Sequence, residues 1–464
     1  MKIFYHNETL NEVPMNAHPS SPKSSNEIVW LPIENMRPYE RNARTHSDKQ
    51  LRMLAASIRQ FGFTSPVLVD ETGMILAGHG RVEAAKLLGL ETAPTLRIEG
   101  LSAAEKRAYI LADNRIAERA GWDRDLLRVE FEDLVAQDLS FNVELSGFET
   151  AEIDLILDDH KRDDADEVPP ARTDGPAVTR AGDLWRLGRH RLLCADATKA
   201  ESYQALLNEE RAQMVFTDPP YNVPIEGHVS GLGQVQHREF AMASGEMSAA
   251  QFTTFLATAF RHMADFTQDG AIHFICMDWR HLGEVLEAGK EAYAELKNLI
   301  VWAKTNAGMG SFYRSQHELV LAFKNGAAPH INNFGLGENG RYRSNVWTYA
   351  GANSFKPGRH DELAMHPTVK PVELVADAIR DCSKRNGVIL DPFAGSGTTV
   401  IAAEKTGRIA RALELDPHYC DVIVRRWQDW SGEPARHGAS NQTFEEAGAA
   451  RAVPASNGDN HDES

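Results

Sequence analysis

Apolar and polar residues recur along this chain with two different periods, and the switches between them mark out its elements. Ser47 and Gln50 stand as a capping box, after which Leu51, Leu54, Ala55 and Ile58 recur at helical spacing until Gly62 ends the run. Pro66–Asp70 and Met74–Ala77 are short apolar runs around Glu71-Thr-Gly73, the pattern of a hairpin. Val82–Leu88 returns to helical spacing and is closed by Gly89, while Thr95–Ile98 reads as a strand. Ser102 and Glu105 repeat the capping box ahead of a helix to about Arg119, and Asp123 opens one more. The pattern predicts a small α/β domain over residues 27–140. Residues 1–26, polar and rich in Pro, Ser and Asn, are expected to be disordered.

Residues 141–181 follow, and within them no apolar period holds from Asp158 to Pro176. Acidic residues pile up there (Asp158, Asp159, Asp163, Asp164, Asp166) and Pro169-Pro170 follows, which predicts an interdomain linker. A second domain is predicted over 182–430. Its apolar runs are Arg191–Cys194, Gln213–Thr217, Ala271–Met277, Leu299–Ala303, Glu318–Phe323, Val388–Leu390 and Ile409–Leu413. They alternate with helical segments such as Ala250–Phe266 and Pro371–Ser383. That alternation predicts an α/β fold with a doubly wound, largely parallel sheet. Residues 431–464, rich in Ala, Gly, Asn and Asp, read as a disordered tail.

A net charge of -17 argues against a nucleic-acid partner until its distribution is considered. The acid lies in the linker and the tail. Between Val301 and His360 the balance reverses: Lys304, Arg314, Lys324, Arg341, Arg343, Lys356 and Arg359 face only Glu318 and Glu338. Phe312, Tyr313, Tyr342, Trp347, Tyr349 and Phe355 are interleaved with them. Cations mixed with aromatic rings suit phosphates and unstacked bases, although a solvated basic face has the same composition. Arg341, Arg343 and Lys356 are the candidate DNA contacts. No apolar run approaches a membrane span, and Met1–Lys23 lacks the signature of a signal peptide, so a cytoplasmic location is expected. Cys194, Cys276, Cys382 and Cys420 are too scattered for a metal site and read as buried free thiols.

Two loops carry chemistry. Gly387–Asp391 is an apolar strand running into Pro392-Phe-Ala-Gly-Ser-Gly-Thr-Thr399 and then a helix. Gly395 and Gly397 permit a tight turn and close backbone approach, and the helix start favours an anionic group. A phosphate-binding loop would need Lys-Ser or Lys-Thr after its last glycine, where Thr398 stands here. Glu414 follows Asp391 by 23 residues at the end of the next strand, near the offset of about 20 residues at which an acid reaches ribose hydroxyls. A nucleoside without phosphates fits. The second loop, Asp218-Pro-Pro-Tyr221, lies beyond the strand Met214–Thr217. Its prolines restrict the backbone so that the Asp218 carboxylate and the Pro219 carbonyl can converge on one NH2 group, and Tyr221 offers a face for an extruded base. Two acceptors on an aromatic amine concentrate its lone pair toward an incoming methyl.

Taken together, Asp218-Pro-Pro-Tyr-Asn222, His366-Pro-Thr-Val-Lys-Pro371, Asp391-Pro-Phe-Ala-Gly-Ser-Gly-Thr-Thr399 and Glu414-Leu-Asp-Pro417, in that order, closely resemble the β group of N6-adenine/N4-cytosine DNA methyltransferases. The resemblance implies a Rossmann-like methyltransferase sheet with permuted motif order, S-adenosyl-L-methionine as cofactor and double-stranded DNA as partner, with a homodimer left open. It implies catalytic and base-holding roles for Asp218, Pro219, Pro220 and Tyr221. Cofactor contacts are implied for Asp391, Phe393, Gly395, Gly397, Glu414 and Lys370, and more loosely for Asp196. It places target recognition at about 327–365 and favours adenine N6, because Asp at position 218 goes mostly with adenine and Ser with cytosine. Asn222–Glu246 reads as a loop closing over the base.

Residues 28–138 resemble ParB-like domains, chiefly through Leu76-Ala-Gly-His-Gly-Arg81 leading into Val82-Glu-Ala-Ala-Lys-Leu-Leu-Gly89. The resemblance makes Gly78 and Arg81 candidate nucleotide contacts. ParB proteins usually carry an acidic-basic-basic cluster where this chain has His79-Gly80-Arg81, which favours a docking or DNA-positioning module over CTP hydrolysis. The competing reading of the whole chain, a partition protein with a non-catalytic C-terminal domain, leaves Asp218-Pro-Pro-Tyr221 unexplained.

Overall fold

The computed structural model describes residues 23–137, 143–157, 165–169, 175–223, 245–305, 307, 312–337, 341–350 and 369–452, which fall into two compact units divided between Glu149 and Thr150. Lys356, the His366–Thr368 part of its motif and most of Asn222–Glu246 lie outside the described residues.

In the first unit the elements are β1 (Lys23–Pro32), α1 (Asp48–Phe61), β2 (Val67–Val69), β3 (Ile75–Ala77), α2 (His79–Leu87), β4 (Thr92–Glu99), α3 (Ala103–Glu118) and α4 (Arg124–Ala136). Caps act at the predicted N-termini: Ser102 and Glu105 form a reciprocal box and Asp123 accepts from Asp125 and Leu126, but at α1 only half of the predicted box forms, Ser47 accepting the Gln50 N–H while the Gln50 side chain meets His46 Nδ1 at 3.0 Å. The strands pair in the order β1-β4-β2-β3. β1 starts earlier than the polar composition predicts, because the length of β4 lets Lys23 pair with Glu99 and Ser24 with Ile98. Ile33, Met36, Val67, Val69, Ile75, Val82, Ala85 and Ala93 form its core. Helix α2 begins three residues ahead of the predicted start, since Gly78 at φ 99° provides the left-handed entry.

The second unit contains α5 (Thr150–Leu157), β5 (Leu184–Leu187), β6 (His190–Cys194), α6 (Ala200–Leu207), β7 (Ala212–Thr217), α7 (Ala249–Asp265), β8 (Thr267–Met277) and α8 (Leu282–Ala292). It continues with β9 (Glu295–Lys304), β10 (His317–Lys324), β11 (Val346–Tyr349), α9 (Val372–Cys382), β12 (Val388–Asp391), α10 (Thr398–Thr406), β13 (Ile409–Glu414), α11 (Pro417–Ser431), β14 (Arg436–His437) and α12 (Phe444–Ala452). One sheet runs β11-β9-β10-β8-β7-β12-β13-β6-β5-β14. Its centre, β8-β7-β12-β13-β6, is parallel as the alternation of strands and helices predicts. Both flanks are not: β10 is antiparallel to β8 and β9, and β5 to β6 and β14, so the sheet as a whole is mixed. Strand residues alternate between two faces. Leu192, Cys194, Met214 and Phe216 pack with α9, α10 and α11, whereas Leu193, Val215, Leu390 and Leu413 pack with α6, α7 and α8.

Two stretches expected to be irregular are built into this unit. In the acidic segment, helix α5 buries Ala151 and Ile153, and Asp154 accepts both terminal nitrogens of Arg408 at 2.8 Å and one from Arg385 at 2.9 Å. Farther on, Asp166 accepts the Val372 N–H, and Ala165 joins the core. The acids that suggested a solvated linker are in these cases hydrogen-bond acceptors for the domain behind them. Beyond Trp430, β14 extends the sheet edge and α12 buries Phe444 and Ala447, with the Phe444 ring 5.3 Å from that of Trp185. A tail poor in apolar residues is held by an aromatic anchor at Phe444 and by polar contacts such as His437 with Asp183, signals that periodicity does not register. All four cysteines are free and buried, and among the described residues no helix is long and apolar enough to cross a membrane.

Candidate active site

The parallel strands β7, β12, β13 and β6 deliver Thr217, Asp391, Glu414 and Cys194 to the same edge of the sheet, the edge where ligands bind in open α/β folds. There a cleft of about 1260 Å³, counted to its open mouth, is lined by Asp196, Asp218, Pro219, Pro220, Tyr221, Lys370, Asp391, Phe393, Gly395 and Glu414, among others. Of the described catalytic and cofactor candidates, only Gly397 does not line it. It caps α10 at φ 81°, and a Cβ there would stand 2.9 Å from Ile423, so glycine is required by the turn.

The two predicted loops are physically joined. β12 pairs with β7, and the Thr217 hydroxyl donates to Asp391 Oδ1 at 2.8 Å while the Thr399 hydroxyl donates to Oδ2 at 2.7 Å. The Phe393 N–H also donates to Oδ1, at 3.1 Å. Asp391 is thus spent on shaping its own loop, and burial pushes its carboxyl up to about 6. Glu414 accepts the Gly395 N–H at 2.8 Å and the Asp416 N–H at 2.9 Å, and burial pushes it up to about 7 against those bonds. Asp416 in turn caps α11, with Pro417 at its first position. Asp196 accepts from the backbone and hydroxyl of Thr198, both at 2.8 Å. Phe393 and Phe255 form an apolar wall with ring centroids 5.9 Å apart. Gly395, at φ 53°, has open space where a Cβ would stand.

At the other end of the cleft the Tyr221 hydroxyl donates to Asp218 Oδ1 at 2.5 Å, and the Lys370 ammonium donates to Oδ2 at 2.5 Å. Lys370, expected among the cofactor contacts, therefore faces the Asp-Pro-Pro-Tyr loop. It is also 3.1 Å from Glu318, which receives Lys304 at 2.5 Å. The motifs do not contain Glu318 or Lys304. β10 runs antiparallel to its neighbours, so its first residues lie at the same edge as the carboxyl ends of β7 and β9, and a charge at the start of an apolar strand was the available sign. Asn222, at φ 52°, accepts from the Gly245 and Met247 N–H groups at 3.1 and 3.2 Å and so ties together the two sides of the segment between them.

Arg341 and Arg343 are not placed as DNA contacts. Their side chains are 9% and 16% exposed, and they pair with Asp377 and Asp381, four residues apart on α9. Arg343 also lies 4.9 Å over the Trp347 ring. These two cations of the basic stretch are paired by a helix distant in sequence, which composition alone does not reveal. In the first unit, Gly78 and Arg81 adjoin at the start of α2, with the Arg81 guanidinium donating to the Ser65 carbonyl at 3.0 Å.

Residues 212–425 match the DNA methylase family, residues 125–181 the ParB-methyltransferase HTH domain, and residues 18–115 the ParB N-terminal domain. Residues 212–425 thus carry an N6/N4 DNA methylase domain, preceded along the chain by ParB-type domains. The ParB-like nuclease domain-containing protein YnaK of Escherichia coli (strain K12) is 49% identical over 80 residues, 17% of this chain and 92% of that protein. Type II methyltransferase M2.MboI of Moraxella bovis is 26% identical over 238 residues, 49% of this chain and 84% of the relative. Among solved structures, the M1.HpyAVI–SAM complex is 19% identical with a TM-score of 0.38, covering 51% of this chain and 97% of that one. This methylase thus joins a ParB-like first unit to a methyltransferase sheet.

Proposed function

We propose that this methylase transfers a methyl group from S-adenosylmethionine to the exocyclic amino group of a base extruded from double-stranded DNA, with adenine N6 as the target. One observation carries the reading: Asp218 and Tyr221 line the same cleft as Phe393, Gly395 and Glu414. An acceptor pair and a nucleoside pocket meet there. The residues fit the cofactor, with Glu414 a ribose acceptor at the end of β13, an apolar wall of Phe255 and Phe393, and open backbone at Gly395. The bound cofactor supplies an electrophilic methyl. Asp218 and the Pro219 carbonyl accept the amine hydrogens, and the Tyr221 ring holds the base. With the methyl that the cofactor would supply passing to the nitrogen, one amine proton would leave toward Asp218, so that charge balances. Digesting methylated DNA to nucleosides tests the base. N6-methyladenine is expected by mass spectrometry, and N4-methylcytosine alone would overturn the adenine assignment.

Cofactor binding should also depend on pH through Glu414. Ribose hydroxyls would donate to its ionised form, while burial pushes the carboxyl up to about 7. Binding then releases a proton, and affinity should weaken by roughly tenfold per pH unit below that value. Calorimetry in two buffers of different ionisation enthalpy measures the proton count. No release between pH 6 and 7 would show that Glu414 does not hold the ribose.

A further inference from the structure

Lys304, Glu318, Lys370 and Asp218 form a chain of alternating charge that ends on the reacting amine's acceptor. The contacts along it are 2.5 Å, 3.1 Å and 2.5 Å. Lys370 is 5% exposed, so its ammonium is held in a poorly solvated place by two carboxylates at once. Only one of those carboxylates belongs to the Asp-Pro-Pro-Tyr loop. An ammonium bound at 2.5 Å draws electron density from Oδ2, the same density that must polarise an entering N–H. Tyr221 already occupies Oδ1. Each Asp218 oxygen therefore already receives a donor from its own neighbours, and a second anchor for Lys370 gives its ammonium somewhere to go when an amine hydrogen competes for Oδ2.

We propose that Glu318 is a positioning residue for methyl transfer: it shares Lys370 with Asp218 and draws the ammonium aside when the target amine enters, leaving Asp218 ionised but free to accept. This rests on the reading of Asp218 given above. The groups that face Asp218 are Tyr221 from its own loop, Lys370 from the segment before α9, Glu318 from β10, Cys276 from β8 and Asp391 from β12. Lys304 acts at one remove through Glu318. Burial raises Asp218 while Lys370 opposes it, and Glu318 is held at about 2 despite burial by Lys370 and Lys304. Lys370 thus acts on both carboxylates, and Lys304 on Glu318 as well.

The arrangement makes opposite predictions for its members. In Glu318→Gln, Lys370 settles wholly on Asp218, so the Asp218 titration midpoint moves down. In Lys370→Met, Asp218 faces Glu318 with no cation between them, and the midpoint moves up by about one pH unit or more. Lys304→Gln releases Glu318 to hold Lys370 harder and moves the midpoint up by less. An infrared titration of the full-length protein, read as the difference from Asp218→Asn, follows this carboxyl without DNA or cofactor, so it stands or falls separately from the identity of the base. Single-turnover methylation at saturating cofactor should show its acid limb moving in the same directions. Its high-pH plateau should fall by about fivefold or more in Glu318→Gln, with cofactor affinity within about twofold. Should Lys370→Met fail to fold, the opposed pair Glu318→Gln and Lys304→Gln decides the matter. Shifts of one sign in both, or none, would overturn the proposal, because a merely structural role lowers the plateau without moving the limb.

Discussion

Replacing Asp218 by Ala should lower single-turnover methylation by at least about a thousandfold, comparable to or beyond the loss of one preorganised hydrogen-bond partner in an active site. S-adenosylmethionine affinity should stay within about threefold. The separation follows from geometry. Asp218 meets Tyr221 and Lys370, while Glu414, Phe393 and Gly395 line the part of the cleft built from the strands after it. The usual hazard of deleting one partner of a buried ion pair is also limited here. Lys370 keeps Glu318 at 3.1 Å, so its ammonium is not left alone. Tritiated-methyl transfer in one turnover, with calorimetry for the cofactor, measures both quantities. Turnover within tenfold of the parent would remove Asp218 from the chemistry.

The sequence carried the central strands and both loops because each has a local cause. Apolar runs define buried strands, glycine and proline define the turns between strand and helix, and Asp391 and Asp218 follow strands that periodicity alone locates. Pairing β12 with β7 then brings the loops together without any further information. What escaped the sequence depends on partners far along the chain. Arg341 and Arg343 read as surface cations until α9 supplies Asp377 and Asp381. Lys370 belongs to the motif preceding the cofactor strand, yet its ammonium points to a carboxylate 152 residues away. Glu318 counted only as an exception within a basic stretch. Its place at the cleft follows from the antiparallel run of β10, and strand direction is a property of the assembled sheet.

The same dependence on distant partners sets where the catalytic unit begins. Composition put its start near Gly182, and a chain cut there would lose α5 and with it Asp154. Arg408 is fully buried, and Asp154 is the carboxylate it meets, through two parallel bonds at 2.8 Å. Arg385 shares that carboxylate at 2.9 Å. Burial acts to raise Asp154 and the two guanidinium groups overcome it, so the acid is held below its ordinary range. A bidentate pair of this kind adds little over a well-packed apolar substitute, but removing one partner strands a charge in a place water cannot reach. Asp154→Ala should therefore cost about 3–5 kcal/mol, and a start at Gly182 at least as much, since Ala151, Ile153 and Ala165 leave the core with it. A chain beginning at Thr150 keeps these contacts and should melt near the temperature at which this unit unfolds in the full-length protein. The depressed carboxyl also fixes the sign with pH: the contribution is present above the unfolded aspartate value near 3.9 and fades as pH falls below it. Calorimetric unfolding of the three proteins at neutral pH provides the test. Equal melting temperatures for the chains starting at Thr150 and Gly182 would show that α5 is an ornament on the catalytic domain and not part of it.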